Sequence, residues 1–340
     1  MFPPPSRPPF PSHSAPIDQD TATRSTDTDA LHARLSASRL SYFPDPFVES
    51  FVLRAQGVPN RPALINVGTW LRGRSVDALV KGFVQRVGEG GKVQVLSLGA
   101  GSDTRFWRIS STPMGGKIAR WVEVDFPEVT SSKARAIWKH AQLKGALGVC
   151  ALTGGGTGVR GEKYALLPAD LRLSPEKTLG ALLTPANDTD ALLSPTLPTL
   201  VLLECVLPYL PLREGETVLR WAGERFGKVA VVLYEMFGLG DAFGKVMREN
   251  LAVRGVQIPG TVASLDALNE RFQRAGFEGQ ALTLRDIRTH YVPPAENERV
   301  AKLELMDEYE ELDLVLGHYA VAWGSKGVTG WGMSRAEEEI

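Results

Sequence analysis

The chain has 340 residues, with 38 Lys and Arg against 39 Asp and Glu, a formal net charge of −1. That balance gives no bulk attraction to nucleic acid or anionic membrane. Hydrophobic residues at 43% suffice for a sizeable core, and the two cysteines, Cys150 and Cys205, exclude a disulfide-built scaffold or a Cys-rich zinc domain.

Residues 1–28 are rich in Pro, Ser, Thr and Asp, and 7 of the 23 prolines fall in the first 16 positions. Such a segment cannot bury enough area to offset its ordering entropy, which predicts a disordered leader. Its Pro5-Ser-Arg-Pro8 and Pro8-Pro-Phe-Pro11 stretches are compatible with polyproline II. The leader has no apolar run of the kind a secretory signal needs. The longest apolar stretch, Leu197–Leu212, is too short for a bilayer and contains Glu204 and three prolines. A cytoplasmic protein with no membrane partner is expected.

From Asp29 the pattern changes. Asp29-Ala-Leu-His-Ala-Arg-Leu35 reads as a capped helix start, and Ser75 as the cap of a helix over 76–87. Val93–Leu98 is a short apolar run ending in Gly99-Ala-Gly101, a buried strand followed by a tight turn. A helix follows from about Thr104. Ala119–Asp125 is the second strand, and Pro127 opens a helix to about Leu143. Strands follow at 164–168 and 200–205, a helix at 214–226 and a strand at 229–235. Helices at about 241–254 and 264–275, a strand at 281–284 and a strand-like run at 314–323 complete the series. The Gly- or Pro-rich gaps 151–162 and 184–198 read as surface insertions, and the acidic stretch Glu304–Asp313 as a solvated helix face. Alternating strands and helices predict one α/β domain over 29–325. Its seven-stranded, mostly parallel Rossmann-like sheet would carry an N-terminal helical lid over 29–90 and a tail over 326–340.

In such sheets ligands bind outside the carboxyl ends of the strands, near the point where strand order reverses. Three features fall there. Gly99 and Gly101 let backbone approach a ligand where a Cβ would obstruct it. Asp125, at the end of the second strand, can accept both hydroxyls of a ribose. Asp170, after the third strand, can accept from an adenine amino group. Each has a structural alternative: a simple tight turn, a cap before Pro127, a cap for the segment after Asp170. Together they point to an adenosine-bearing cofactor. The third glycine of a dinucleotide fingerprint is replaced by Thr104, and the carboxylate of Asp103 would repel a pyrophosphate. It suits the positive charge of S-adenosylmethionine.

Several runs extend the pattern: Leu98-Gly-Ala-Gly-Ser-Asp-Thr-Arg-Phe-Trp-Arg108, Glu123-Val-Asp-Phe-Pro127, Asp170-Leu-Arg172 and Glu204-Cys-Val-Leu-Pro-Tyr209. With Tyr42-Phe-Pro-Asp-Pro-Phe47, Tyr234-Glu235 and His318-Tyr319, they resemble the leucine carboxyl methyltransferases over about 30–325. That family methylates the C-terminal leucine carboxylate of the type-2A protein phosphatase catalytic subunit. The resemblance implies S-adenosylmethionine as cofactor and that subunit as partner, a monomer, and a regulatory role in phosphatase holoenzyme assembly. It implies that Gly99 and Gly101 line the donor's methionine part, that Asp125 holds the ribose, and that Asp170 with Leu171 holds the adenine. Glu204 would hold the amino group, Arg72 the carboxylate, with Arg34 assisting. Arg172 and Tyr209 would face the substrate. Val67 and Thr69 replace an arginine and an aromatic common in the family, leaving Arg72 and Arg74 as competing ligands for the carboxylate. Pro208 is unusual in its motif.

A leucine α-carboxylate, with a pKa near ~3.5, is already ionised at neutral pH and needs no general base. The chemistry asks for alignment and for removal of water from charges that cancel during transfer. The five histidines show no metal spacing. Cys205 reads as a reduced strand cysteine rather than a nucleophile. The alternatives are a related O-methyltransferase acting on a tRNA side chain or a small carboxylic acid, and a non-catalytic donor-binding phosphatase chaperone.

Overall fold

The structure is a computed structural model, described over residues 18–183 and 191–336. The polyproline stretches of the leader lie outside the described residues. The helices are α1 (Gln19–Arg39), α2 (Ala63–Arg86), α3 (Arg105–Ser110), α4 (Pro127–Lys139), α5 (Ala141–Gly145), α6 (Ala181–Leu183), α7 (Leu212–Arg225), α8 (Ala242–Val253), α9 (Leu265–Arg274), α10 (Leu284–His290), α11 (Pro294–Ala301) and α12 (Tyr309–Gly317). The strands are β1 (Val93–Leu98), β2 (Ile118–Asp125), β3 (Ala151–Thr153), β4 (Gly158–Arg160), β5 (Tyr164–Pro168), β6 (Thr199–Glu204), β7 (Val229–Met236), β8 (Glu278–Thr283) and β9 (Tyr319–Lys326).

The strands form one sheet in the order β3-β4-β5-β2-β1-β6-β7-β9-β8. The five central strands, β5 to β7, are parallel, and the pairings outside them are antiparallel. Every residue of β1 and β7 is buried, as strands covered on both faces require. From β1 the chain builds outward first to β2 and β5, then returns to β6 and β7 on the other side. The carboxyl ends of β1 and β6 therefore flank the switch point, where a ligand crevice opens. This is the expected Rossmann-like class, with nine strands in place of seven.

The two additional strands come from the segment read as an insertion. Residues 151–160 fold into a short ribbon whose second strand pairs with β5, and Gly154-Gly-Gly156 makes its turn. Three residues per strand are too few to show alternation.

Four other boundaries move. The first helix starts at Gln19, inside the expected leader, where the Asp18 side chain caps it by accepting from Thr21 N. Ser75 is not a cap but sits inside α2, its hydroxyl donating to the Leu71 carbonyl. Nor is α2 part of a lid: Trp70, Leu71, Val76, Leu79, Val80, Phe83 and Val84 are all core. The strand-like run at 314–323 splits into the end of α12 and β9. The expected tail is partly packed too, with Trp331 donating to the Leu79 carbonyl at 2.9 Å and meeting Phe83 edge-on. Among the described residues no helix is long and apolar enough to cross a membrane.

Candidate active site

A cavity of about 510 Å³ opens over the switch point. Its floor is the carboxyl ends of β1, β2, β5 and β6, its roof is α1, and the first half of α2 forms a side wall. All ten residues singled out from the sequence line it: Arg34, Arg72, Gly99, Gly101, Asp125, Asp170, Leu171, Arg172, Glu204 and Tyr209.

The glycine turn has the geometry that its residues permit. Gly99 and Gly101 have φ of +63° and +47°, in the left-handed region that favours glycine. A Cβ on Gly99 would lie 2.5 Å from Val206 Cγ2, and one on Gly101 2.4 Å from Asp27 Oδ1. Asp125 Oδ2 accepts from Gly101 N at 2.7 Å, and its Oδ1 accepts from Phe126 N at 2.7 Å. Burial pushes the Asp125 carboxyl up to about 6, with these two N–H groups opposing the rise.

At the far wall Glu204 ends β6. Its Oε2 accepts from Arg72 Nε at 3.0 Å and its Oε1 from Arg105 at 2.6 Å. Burial works to raise its pKa, but the two guanidinium groups outweigh that and hold it at about 2. Arg72 also lies 4.6 Å above the Tyr234 ring. Of the two arginines left open by the sequence, Arg72 lines this cavity, whereas Arg74 lines a separate cleft. Arg34 is also at the wall, paired with Asp45 at 2.5 Å and 4.7 Å above Phe43.

Arg105 was not singled out from the sequence, yet it is the hub of this wall. It is buried and binds Asp77 and Asp103 at 2.6 Å each, in addition to Glu204. Arg108 takes the other oxygen of Asp77, and Thr104 donates to Asp45 at 2.5 Å. Burial works to raise the Asp77 carboxyl, and Arg108 and Arg105 hold it well below the usual carboxylate range. The only sequence signal was the charge alternation Asp103-Thr-Arg105, which reads equally well as an exposed helix start.

Arg172 and Tyr209 are not brought together. Arg172 forks onto Asp20 of α1 at 2.6 and 2.9 Å, binds Asp170, and lies 5.3 Å above Phe126. Its donors tie the Asp170 end to α1 at the rim of the cavity. Asp170 correspondingly spends its carboxylate on Arg172. Tyr209 stands at the Glu204 end, where its hydroxyl meets Thr26 of α1 and burial pushes it above the usual phenol range. Cys205, beside Glu204, has φ +54° and a thiol that burial pushes up to about 11, so it is a poor nucleophile.

Known proteins align with this arrangement. A family model described as leucine carboxyl methyltransferase matches residues 22–223. Leucine carboxyl methyltransferase 1 of Cryptococcus neoformans is 43% identical, over 96% of this chain and 98% of its own length. The protein of that name in Caenorhabditis elegans is 33% identical, over 90% of this chain and 91% of its own. Among solved structures, a DUF574 family protein from Streptomyces avermitilis shares the fold. Its TM-score is 0.51, over 86% of this chain and 96% of its own, at 14% identity. The chain belongs to the leucine carboxyl methyltransferase family and is a methyltransferase.

Proposed function

We propose that the protein transfers a methyl group from S-adenosylmethionine to the α-carboxylate of the C-terminal leucine of the type-2A protein phosphatase catalytic subunit. The supporting observation is the cavity itself, where a glycine turn with a buried carboxylate faces a wall of paired arginines. Its residues fit the donor. The glycine turn borders the cavity, Asp125 can accept from a diol, and Glu204, held ionised, can accept from an ammonium group. Arg72 uses Nε on Glu204 and keeps its terminal nitrogens for a carboxylate. The donor, when bound, supplies an electrophilic methyl carbon.

The residues of this chain supply the rest. Arg72, Arg105 and Glu204 form a fixed lattice that does not reorganise as charge disappears, which is the form electrostatic preorganisation takes. The strap α1 reaches over the Asp170 end through Arg172 and over the glycine turn through Asp27. Tyr209 holds a neutral hydroxyl at the Glu204 end, able to donate to an anionic acceptor. No group is required to take a proton from the acceptor, whose pKa of ~3.5 leaves it ionised. The same reading takes the protein as a cytoplasmic monomer that influences phosphatase holoenzyme assembly.

The test is incubation with methyl-labelled S-adenosylmethionine and phosphatase catalytic subunit. Base-labile label should appear on the intact subunit and be absent from one lacking its terminal leucine. Donor binding without label on the intact subunit would refute the proposed acceptor.

A further inference from the structure

Five of the carboxylates lining the cavity face arginines. Asp20 and Asp170 share Arg172, Asp103 and Glu204 share Arg105, and Asp29 meets Arg254. Two differ. Among the described residues Asp27 and Asp125 form no ion pair, and their direct partners are hydrogen-bond donors of the glycine turn and its neighbours. Asp27 Oδ1 accepts from Ser102 N at 2.7 Å, and its Oδ2 from the Ser102 hydroxyl at 2.8 Å. The two carboxylates reach the turn from opposite sides, Asp125 from the end of β2 and Asp27 from α1. They feel each other, since Asp27 adds to the burial that raises the Asp125 pKa. The turn therefore carries two carboxylates with no direct ion-pair partner among the described residues, Lys133 acting on Asp125 only from a distance. Carboxylates left in this state favour a cation in the space they border.

Asp125 has both oxygens on backbone N–H groups at the base of the turn. Asp27 instead occupies the bare face of Gly101, the side on which a Cβ would stand. We propose that Asp27 is a specificity-determining residue that favours the positively charged donor over the neutral product. S-Adenosylmethionine carries one net positive charge through its sulfonium, and S-adenosylhomocysteine carries none. A carboxylate that senses this difference holds substrate donor in place and weakens retention of spent donor. The inference rests on the donor reading above and deepens it.

Calorimetric titration of the wild-type protein, Asp27→Asn and Asp125→Asn with each of the two ligands tests it. The Asn side chain keeps the size of Asp27 and one acceptor for Ser102 while removing the charge. Asp27→Asn is expected to weaken S-adenosylmethionine about tenfold, as loss of one partly buried charge implies, with S-adenosylhomocysteine nearly unchanged. Asp125→Asn is expected to weaken the two ligands alike, since both carry the ribose. Equal weakening of both ligands by Asp27→Asn would make Asp27 a prop for Ser102 and overturn the proposal, as would no change in either. If the Asn variant does not fold by circular dichroism, Asp27→Ser takes the same measurement. Wild-type protein that binds neither ligand would refute the donor reading itself, a result distinct from failure of the selectivity.

Discussion

The two halves of the cavity are built on different principles. The floor, from the glycine turn to Asp125, is held by backbone: strand register places it, and main-chain N–H groups satisfy its acids. The roof and far wall are held by charge. α1 buries only Ala22, Leu31, Leu35, Ser36 and Ala37, and much of its grip comes from Asp20–Arg172, Asp27–Ser102, Asp29–Arg254 and Arg34–Asp45. A floor made of sheet is rigid because sheet hydrogen bonds and core packing break together. A roof made of polar contacts can open without unfolding the core, as elements of low local stability do.

That contrast is open to breakage, and the largest effect belongs to the far wall. Arg105→Met leaves Asp103 without its ion-pair partner and Glu204 and Asp77 with one guanidinium each, and removal of one partner from a buried ion network costs about 3–5 kcal/mol. Urea denaturation should show that loss, and Arg105→Lys should recover little of it, since an ammonium lacks the planar fork. A loss below about 1 kcal/mol would place this wall with the surface pairs.

Next comes the floor. Gly101→Ala forces a left-handed residue and a contact 2.4 Å from Asp27 Oδ1, at a cost of about 1–3 kcal/mol. The expected signature is joint: a lower denaturation midpoint together with faster hydrogen exchange in α1, because Asp27 must leave. Loss of stability with α1 exchange unchanged would show floor and roof to be uncoupled.

Third is pH. Asp125 has a folded pKa of about 6 against an ordinary value of 3.8. The folded state then binds more protons than the unfolded between these values, so this group's contribution to stability falls as pH rises from about 4 to about 6. Asp125→Asn should remove that slope. Glu204 acts with the opposite sign and at lower pH, its contribution being lost as pH falls toward about 2. An unchanged difference in stability between wild type and Asp125→Asn across pH 4–6 would contradict the buried placement of Asp125.

The smallest effect on global stability is expected at the roof. Arg172→Ala removes a half-exposed pair and should cost under about 1 kcal/mol. Hydrogen exchange over the first turns of α1 should nevertheless quicken. Truncation gives the same comparison in coarser form. Removing residues 1–17 should leave donor binding intact, whereas removing 1–25 should impair it, because Asp20, Ala22 and Arg24 go with it. The sequence placed the end of the leader at residue 28. The helix cap at Asp18 moves it upstream.

Why that limit was misplaced is instructive. The stretch Gln19-Asp-Thr-Ala-Thr-Arg-Ser-Thr-Asp-Thr28 has almost no apolar periodicity, since α1 meets the body there through polar side chains. Helical pattern is a signal of apolar burial, and a helix held by ion pairs does not broadcast it. Arg105 was missed for a related reason. Its partners lie 2, 28 and 99 residues away in the chain, and pairing at such separations is a property of the folded state alone.

The floor was legible because its determinants are local. An apolar run ending in Gly-x-Gly, an acid at the end of the next strand and an acid after the third follow from strand geometry and backbone sterics. Those constraints act within a few residues. Which cations meet which acids, which of Arg72 and Arg74 lines the cavity, and that Arg172 ties the Asp170 end to α1 were decided by tertiary structure. Electrostatic pairing depends on distance in space, and only the packed sheet and α2 bring those groups within hydrogen-bond reach.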